Sequence, residues 1–345
     1  LKTNCMKSTN EELQDEILRR GSDILKAWIG DERTKKRILA ILVAGKHLLL
    51  EGPPGSGKTL IARELAKALP PMKAVDCDFN CYPEHPTCPQ CTAPKTLGIR
   101  RKGRVVEIPG EERFVRVQGS PELTAEDLVG DIDPVLAFRY GPFDSRAFKP
   151  GKIIRANRRV LFIDEINRLP ERLQNTLLQM LQERIMTIGG LEVEFGIDTV
   201  FITTMNPEEH TGVYRISEAL RDRLEKVRIS YPTLEEELEI IELYGKRLGA
   251  EIPVEMERKM VDITQRTRAD KSVDQPASVR ATLAMYEIAQ SYALLRGEKR
   301  VTVEDLREAA EVALEGRVLM SPDSPYYDSP VRYFREIIDY TLGKT

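Results

Sequence analysis

The sequence predicts an α/β fold whose core is built on a parallel sheet, followed by an all-helical domain. Three observations support this. A short apolar run leads into a glycine-rich loop at residues 52–59, and a second apolar run at 160–163 ends in two carboxylates. Such runs are typical of strands buried on both faces. Beyond Pro232 only helical patterns recur, and 345 residues are enough for two domains.

The charge and hydropathy of the chain limit its partners. A formal net charge of −3 argues against a generic binder of nucleic acids or membrane surfaces. No apolar run approaches the roughly 18 residues needed to span a bilayer, and the first residues lack a charged-then-apolar secretory pattern. We therefore expect a cytoplasmic protein with no membrane partner.

Residues 1–46 are predicted to form helices that lead into the core. Apolar residues recur at helical spacing over 11–28 and again over 32–44. Ile29 and Gly30 mark a break before the second of these helices.

Residues 52–59 carry the phosphate-binding motif Gly-x4-Gly-Lys-Thr between a predicted strand and a predicted helix, 60–69. Its glycines permit positive φ and let backbone N–H groups converge on phosphate oxygens. Lys58 would reach the β and γ phosphates, and Thr59 would offer its hydroxyl to Mg²⁺. The positive end of the helix dipole favours the same anion. The predicted nucleotide-binding residues are Ile29, Gly30, Gly52, Pro53, Pro54, Gly55, Ser56, Gly57, Lys58, Thr59, Leu60 and, from a later strand, Asp164.

Residues 71–112 are predicted to form a cysteine-rich insertion. Four cysteines spaced C-x3-C-x6-C-x2-C suit one tetrahedral site with thiolate ligands. They are Cys77, Cys81, Cys88 and Cys91. Structural Zn²⁺ is the preferred interpretation, with an iron–sulfur cluster or no metal as alternatives and His85 as a substitute for one cysteine. Four protein ligands leave no open coordination position, so we expect the site to fold the insertion and not to catalyse.

Residues 113–151 are predicted to form a second insertion. An alternating pattern at 113–117 indicates a strand, 121–129 has helical character, and 130–151 is rich in Gly, Pro and aromatic residues. The basic run 100–104 is interpreted as a solvated face, with contact to a partner as the alternative.

The run at 160–163 ends in Asp164 and Glu165, about a hundred residues after the phosphate loop. Asp164 would hold Mg²⁺ through its water shell. Glu165 would orient or deprotonate the attacking water. These roles predict an ATPase that requires Mg²⁺.

A later buried strand, 199–205, ends at Asn206, and we expect it to lie between the strands that bear Lys58 and Asp164. There the amide would hydrogen-bond water or the γ phosphate; the alternative is a turn-capping residue before Pro207.

Arg221 and Arg223 lie in a short polar helix. Either would stabilise the charge of a transferring phosphate, from its own subunit or a neighbouring one. The alternative for both is an ordinary surface ion pair.

The C-terminal part is predicted to contain helices at 233–247, 254–267, 276–296 and 302–314, with no strong strand signal. Residues 317–345 are predicted to form a tail. Its first part, 321–330, is expected to be extended. Its second part, 331–342, is expected to be a helix that docks on its own domain or on a partner.

These motifs resemble those of AAA+ ATPases in the MoxR and magnesium-chelatase ATPase-subunit clade, over about residues 22–315. The matching segments are 52–59, 161–168, 178–184, 204–208 and 278–281.

The resemblance implies an αβα ATPase core at 47–231 and a helical lid at 232–316. It implies a homo-oligomeric ring, a hexamer, with ATP between subunits. In the family's roles Asn206 is sensor 1, Arg223 the arginine finger and Arg280 sensor 2. Leu224 stands where the family has Phe, which leaves Arg221 open as the finger.

The resemblance also assigns two segments: 113–151 is the insert of helix 2, and 184–200 is a β-hairpin before sensor 1. The Gly-Gly pair within 184–200 independently predicts such a hairpin, after a helix at 171–182.

The implied activity is ATP turnover coupled to remodelling of a partner protein or to metal or cofactor insertion. Family members often act with a partner that carries a von Willebrand A domain. The alternative is a nucleic-acid-stimulated motor of the helicase-related clade. The hairpin tip at 187–194 is apolar and then acidic, whereas a nucleic-acid pore favours basic or aromatic residues. A regulatory or protease-linked ATPase is a third possibility, although 316–345 contains no recognisable catalytic constellation.

Overall fold

The computed structural model describes residues 7–88, 91, 104–141, 144–188, 193–207 and 212–343. The chain divides into two compact units. One comprises Leu1–Gly52 and Gly57–Ile229, and the other comprises Pro53–Ser56 and Ser230–Thr345. The first is α/β and the second is mainly helical, which confirms the predicted fold class.

The first unit alternates helices and strands, as expected for a sheet covered on both faces. In chain order its elements are α1 (Thr9–Arg20), α2 (Glu32–Val43), β1 (His47–Glu51), α3 (Lys58–Ala68), β2 (Met72–Val75), β3 (Val105–Ile108), β4 (Phe114–Gln118), α4 (Ala125–Leu128), β5 (Gly130–Ile132), α5 (Pro134–Tyr140), β6 (Phe148–Pro150), α6 (Lys152–Arg155), β7 (Arg159–Asp164), α7 (Glu171–Glu183), β8 (Ile185–Ile188), β9 (Val193–Gly196), β10 (Thr199–Met205), α8 (Glu218–Arg221) and β11 (Leu224–Arg228).

The central sheet has five parallel strands in the order β11-β1-β10-β7-β4. The strand that precedes Asn206, β10, pairs with β1 on one side and β7 on the other. This confirms the predicted neighbourhood of the three strands. Because parallel strands end at the same edge of a sheet, the segments after β1, β7 and β10 meet at one edge.

Alternating side chains of these strands enter two separate cores. Leu49, Leu161 and Phe201 pack with α6, α7 and α8 on one face. On the opposite face Leu50 and Phe162 pack with α1, α2 and α3. Burial on both faces explains why the strands appear in the sequence as continuous apolar runs.

The prediction that 113–151 is wholly an insertion is wrong at its start. β4, Phe114–Gln118, is the edge strand of the central sheet and pairs with β7. Arg113 and Arg116 concealed this role, because buried parallel strands are usually apolar. Arg116 lies on this edge strand with its side chain partly exposed, whereas Arg113 directly precedes the strand and is buried.

The insertion proper follows β4. β5 pairs antiparallel with β6, and α5 lies between them. Within it the expected helix over 121–129 is a single turn, α4, which begins at the capping box of Thr124 and Asp127.

The cysteine-rich segment is framed by the antiparallel pair β2–β3, and β8 pairs antiparallel with β9 as a hairpin. Residues 100–103 of the basic run at 100–104, and residues 189–192 of the hairpin tip at 187–194, lie outside the described residues.

The second unit contains α9 (Leu234–Tyr244), α10 (Val254–Ala269), β12 (Val273–Gln275), α11 (Val279–Leu295), α12 (Val303–Glu315), β13 (Leu319–Met320) and α13 (Pro330–Leu342). The first four predicted helices match to within three residues at each end. Two short strands, for which the sequence has no strong signal, accompany these helices: β12 and β13 form an antiparallel pair.

The end of the chain differs from a free tail. Turns replace the expected extended segment: Ser324 N–H donates to Ser321 O at 2.9 Å and Tyr327 N–H to Ser324 O at 3.1 Å, as Ser and Pro favour. α13 packs into the core of its own unit through Tyr333, Phe334 and Ile338.

Among the residues that the structure describes, no helix is both long and apolar enough to cross a bilayer.

One buried arginine links three segments of the first unit. Arg113 is completely buried, and its guanidinium lies 2.6 Å from the carboxylate of Glu12 on α1. It also donates to Pro70 O at 2.7 Å and to Arg158 O at 3.0 Å. All three contacts join segments distant in sequence.

We expect Arg113→Ala to lower the free energy of unfolding of the first unit by about 3–5 kcal/mol, because it leaves Glu12 and two carbonyls without their donor. Arg19→Ala removes an exposed pair with Glu16 on the same helix and should cost less than about 1 kcal/mol. Urea unfolding followed by fluorescence measures both. Equal losses of unfolding free energy in the two variants would show that the buried contacts of Arg113 do not stabilise the first unit more than an exposed ion pair does.

Candidate functional site

The phosphate-loop segment joins the end of β1 to the start of α3. Gly55 and Gly57 have φ of 77° and 82°, which only glycine adopts at low cost. Lys58 Nζ donates to Gly52 O at 2.6 Å, and Ser56 Oγ donates to Pro53 O at 2.9 Å. The motif lysine is therefore held within its own loop.

A tryptophan beside the loop was treated in the sequence only as a helix residue. A Cβ on Gly57 would lie 2.7 Å from Trp28 Cδ1, and one on Gly30 would lie 2.5 Å from Trp28 Cη2. Trp28 is 5% exposed and is the only tryptophan of the chain. The Trp28 side chain thus lies against both Gly30 and Gly57 of the loop. Its only signal in the sequence was its position at the predicted helix break.

Asp164 and Glu165 follow directly from the buried strand β7, and one hydroxyl organises both. Thr204 on β10 donates to Asp164 Oδ1 at 2.6 Å, and the same Oγ1 accepts from the Glu165 N–H at 2.9 Å. Glu165 has a left-handed backbone, with φ of 57°. This turn sends the chain away from the sheet edge.

Two side chains of β4 contact the carboxylates. Arg116 Nη2 lies 2.6 Å from Asp164 Oδ2, and Gln118 Nε2 lies 2.9 Å from Glu165 Oε2. The Nε of Arg168 is 3.1 Å from the same Glu165 oxygen. Arg116 and Gln118 were not among the predicted site residues, because their strand was assigned to an insertion.

The other predicted residues occupy different positions. Asn206 directly follows β10, between the ends of β1 and β7. Arg221 is exposed at the end of α8, whereas Arg223 is half-buried and donates to Ala219 O at 2.8 Å. Arg280 is exposed in the first turn of α11, in the second unit.

The four cysteine sulfurs form a compact cluster. The Sγ atoms of Cys77, Cys81, Cys88 and Cys91 all lie within 4.8 Å of one another. Cys81 N–H points to Cys77 Sγ at 3.5 Å. Hydrogen bonds from Cys77 and Cys88 lower the pKa of the Cys81 thiol, whereas hydrogen bonds to Cys77 and Cys81 raise the pKa of Cys88 and burial raises that of Cys91. The neighbouring thiols therefore favour one thiolate in the cluster, at Cys81. His85 does not belong to the cluster.

Asn80 lies in the loop that carries the four cysteines, residues 77–91, here called the cysteine loop. Its side chain bonds this loop to the segment before β7. Its Nδ2 donates to Arg155 O at 2.9 Å and to Asn157 O at 3.1 Å, and its Oδ1 accepts from Arg159 at 2.9 Å. Asn157 returns a hydrogen bond to Phe79 O at 3.1 Å.

Aromatic contacts extend this attachment to both neighbouring segments. The Phe79 ring lies 4.9 Å from that of Phe195 on β9 and 6.3 Å from that of Phe148 on β6. The cysteine loop therefore packs against the β8–β9 hairpin and the insertion together.

Three family models match successive parts of the chain. Residues 25–78 match the magnesium chelatase, subunit ChlI family. Residues 91–225 match the ATPase family associated with various cellular activities (AAA), and 265–331 match the AAA lid domain.

The chain is similar to named relatives along most of its length. It is 28% identical to Chaperone MoxR1 of Mycobacterium tuberculosis, over 88% of this chain and 75% of that protein. It is 27% identical to a magnesium-chelatase subunit ChlI homolog of Methanocaldococcus jannaschii, over 87% and 86%. Among solved structures, NtrX from Brucella abortus in complex with ADP has a TM-score of 0.51 at 17% identity, covering 94% of this chain and 66% of that one; this likeness concerns the fold alone.

The crowding at Gly57 can be tested with the single tryptophan. Gly57→Ala combines a positive φ with a clash against Trp28, so we expect a loss of about 2–5 kcal/mol in the free energy of unfolding and a shift of the Trp28 emission to longer wavelength.

Gly45→Ala is the matched control in the same unit. Its φ is +67°, but the nearest atom to the added Cβ is 3.5 Å away. It should cost about 1–2 kcal/mol and leave the emission unchanged. An unshifted emission spectrum in Gly57→Ala would contradict the packing of Trp28 on the loop.

Proposed function

Because the chain belongs to the AAA+ ATPases, in the group of MoxR proteins and magnesium-chelatase ATPase subunits, we propose that it binds ATP with Mg²⁺ at the carboxyl edge of its central sheet and hydrolyses the nucleotide. One observation carries this proposal: β10 lies between β1 and β7. That order puts the phosphate loop, Asn206 and the Asp164–Glu165 pair at one edge.

The residues present fit the nucleotide. The loop before α3 offers backbone N–H groups beside glycines that cannot take a side chain, and a Cβ on Gly52 would lie 2.3 Å from Ile229 O. The eleven-residue helix α3 begins at Lys58 and favours an anion at its N-terminus. Thr59 and Asp164 would hold Mg²⁺, which neutralises phosphate charge when bound.

Each remaining side chain has a role in the hydrolysis we propose. Glu165 orients the attacking water and accepts its proton. Gln118 and Arg168, which contact Glu165 Oε2, fix the position of that carboxylate. Asn206 hydrogen-bonds the water or the terminal phosphate, as sensor 1 does in the family.

The site is completed by a neighbouring copy of the chain in this proposal. Arg223 serves as the finger of a homo-oligomeric ring, a hexamer, and Arg280 serves as sensor 2. Arg221 is the other candidate for the finger. Arg223 lies just after α8, is half-buried and donates to Ala219 O of that helix. These features support it over the more exposed Arg221, because a finger must be held at a fixed angle.

The output of the cycle is remodelling of a partner protein or insertion of a metal or cofactor. The similarity to a protein named as a chaperone supports the first, and the similarity to a magnesium-chelatase subunit homolog supports the second. The partner we propose is a separate protein, with a von Willebrand A domain as the first candidate.

The ATPase proposal predicts three separable defects. Glu165→Gln should keep nucleotide affinity and lower turnover by about a hundredfold or more. Lys58→Ala should abolish nucleotide binding. Arg223→Ala should bind normally and lose about tenfold or more of the turnover, only under conditions where the chain oligomerises. Phosphate release and equilibrium nucleotide binding measure these effects.

Arg221→Ala is the matched control for the finger, because it lies two residues away in the same polar segment. Normal hydrolysis by Arg223→Ala together with a defect in Arg221→Ala would exchange the two roles. Full activity of Glu165→Gln would refute the site itself.

We also propose that the four cysteines bind one structural Zn²⁺, with an iron–sulfur cluster as the alternative. A tetrahedral ion with Zn–S bonds of about 2.3 Å has sulfurs about 3.8 Å apart, and the limit of 4.8 Å within the cluster is compatible with that spacing after slight contraction. The complete set of four ligands supports a closed site that holds the loop around Phe79 and Asn80.

Cys88→Ser should reduce bound metal from about one ion per chain to a small fraction, because the variant keeps only three of the four thiolate ligands. Elemental analysis measures zinc and iron, and visible absorption separates a cluster from zinc. Cys5→Ser is the control, since Cys5 is isolated in sequence from the four, and it should retain full occupancy. Metal-free wild-type protein with an unchanged melting temperature would refute a structural ion.

A further inference from the structure

We propose that Arg116 is a positioning residue that neutralises Asp164 when no nucleotide is bound and must give up this contact when Mg²⁺ arrives. The proposal rests on the proposed function, because Asp164 is the Mg²⁺ residue of that site. It concerns a side chain that the phosphate-loop motif and the Asp-Glu pair do not include.

Both oxygens of Asp164 already have protein partners. Oδ1 accepts from the Thr204 hydroxyl at 2.6 Å, and Oδ2 accepts from Arg116 Nη2 at 2.6 Å. The Asp164 side chain is 15% exposed and ends an apolar strand. A carboxylate in such a position is costly unless a cation lies beside it.

Parallel pairing puts Arg116 within reach of this carboxylate. On the edge strand β4, Arg116 is opposite Phe162 and Gln118 is opposite Asp164. The long side chain of Arg116 therefore passes along the strand to the carboxyl edge, where it meets Asp164. Nη2 also lies 2.9 Å from Gln118 Oε1, which offers it a second acceptor.

Arg116 is free to move, unlike Arg113, which directly precedes this strand. Its side chain is 45% exposed, and its described hydrogen bonds are to side chains. Arg113 is fully buried and bonded to two carbonyls and a carboxylate. Moving Arg116 therefore costs no repacking of the core, whereas moving Arg113 would leave buried groups unpaired.

The charges determine the consequence. Mg²⁺ with its water shell and the Arg116 guanidinium compete for the same carboxylate oxygen, and two cations at that distance repel. Binding of Mg²⁺ is then coupled to release of Arg116, and the coupling lowers the apparent affinity for Mg²⁺. Nucleotide binding without Mg²⁺ does not involve this exchange.

The test uses the full-length chain, a fluorescent non-hydrolysable ATP analogue, and free Mg²⁺ varied from an EDTA-containing buffer upward. Arg116→Ala and Arg116→Gln should reach half of the Mg²⁺-dependent signal at about three- to tenfold lower free Mg²⁺ than wild type, the effect of removing one partly exposed ion pair. Their affinity for the analogue in EDTA should be unchanged. Arg116→Lys, which keeps the charge, should stay near wild type.

Arg146→Ala is the matched control, because it removes another arginine–aspartate pair, with Asp144, in the insertion. It should leave the Mg²⁺ midpoint unchanged. An equal or higher Mg²⁺ requirement in Arg116→Ala and Arg116→Gln would overturn the proposal, and the higher value would mean that Arg116 orients Asp164 for the metal. Weaker binding in EDTA would also overturn it, by showing that Arg116 contacts phosphate. Failure of wild-type protein to bind the analogue at all would instead refute the proposed function.

Discussion

The candidate site depends on the pairing of β10 between β1 and β7. β1 supplies the loop that leads to Lys58, β7 supplies Asp164 and Glu165, and β10 supplies Thr204 and Asn206. These segments are far apart in sequence, and only the order of parallel strands makes them neighbours. The register is specified because each strand alternates its apolar side chains between two cores, so a slip by one residue would exchange the cores. The packing of apolar side chains thereby fixes the positions of the polar residues at the ends of these strands.

The strand β7 also holds the cysteine-rich segment, which a minimal core lacks. Arg158, Arg159 and Asn157 precede or begin β7 and hold the cysteine loop through Asn80 and Phe79. At the opposite end β7 presents its carboxylates. A single strand therefore has the segment with the proposed four-cysteine metal site at one end and the proposed hydrolytic residues at the other. Its interior is fully buried from Val160 to Ile163, so the connection is rigid.

Much of the fold could be predicted because local signals agreed with the tertiary structure. The positive φ predicted for the loop glycines is confirmed at Gly55 and Gly57 but not at Gly52, which is instead limited by Ile229. The apolar runs of β1, β7 and β10 were predicted correctly, because burial on both faces produces continuous apolar sequence. β4 was misassigned because Arg116 within it and the buried Arg113 just before it obscured the apolar pattern of a core strand. The contacts of Arg116 and Gln118 with the carboxylates depend on which strand pairs with β7. That is a tertiary fact without a local signature. Trp28 was missed as a neighbour of Gly57 for the same reason.

The strand order has a consequence for the order in which the newly made chain acquires its parts. β1 pairs with β11, and Leu48 lies opposite Glu225, so the last strand of the sheet is synthesised long after the first. Pairings of such long sequence separation form slowly, because loop closure precedes the contacts that stabilise them. The phosphate loop is synthesised well before its support, because Gly52 rests against Ile229 at the end of the first unit. The loop therefore has its full structural support only after the chain has been made through Ile229.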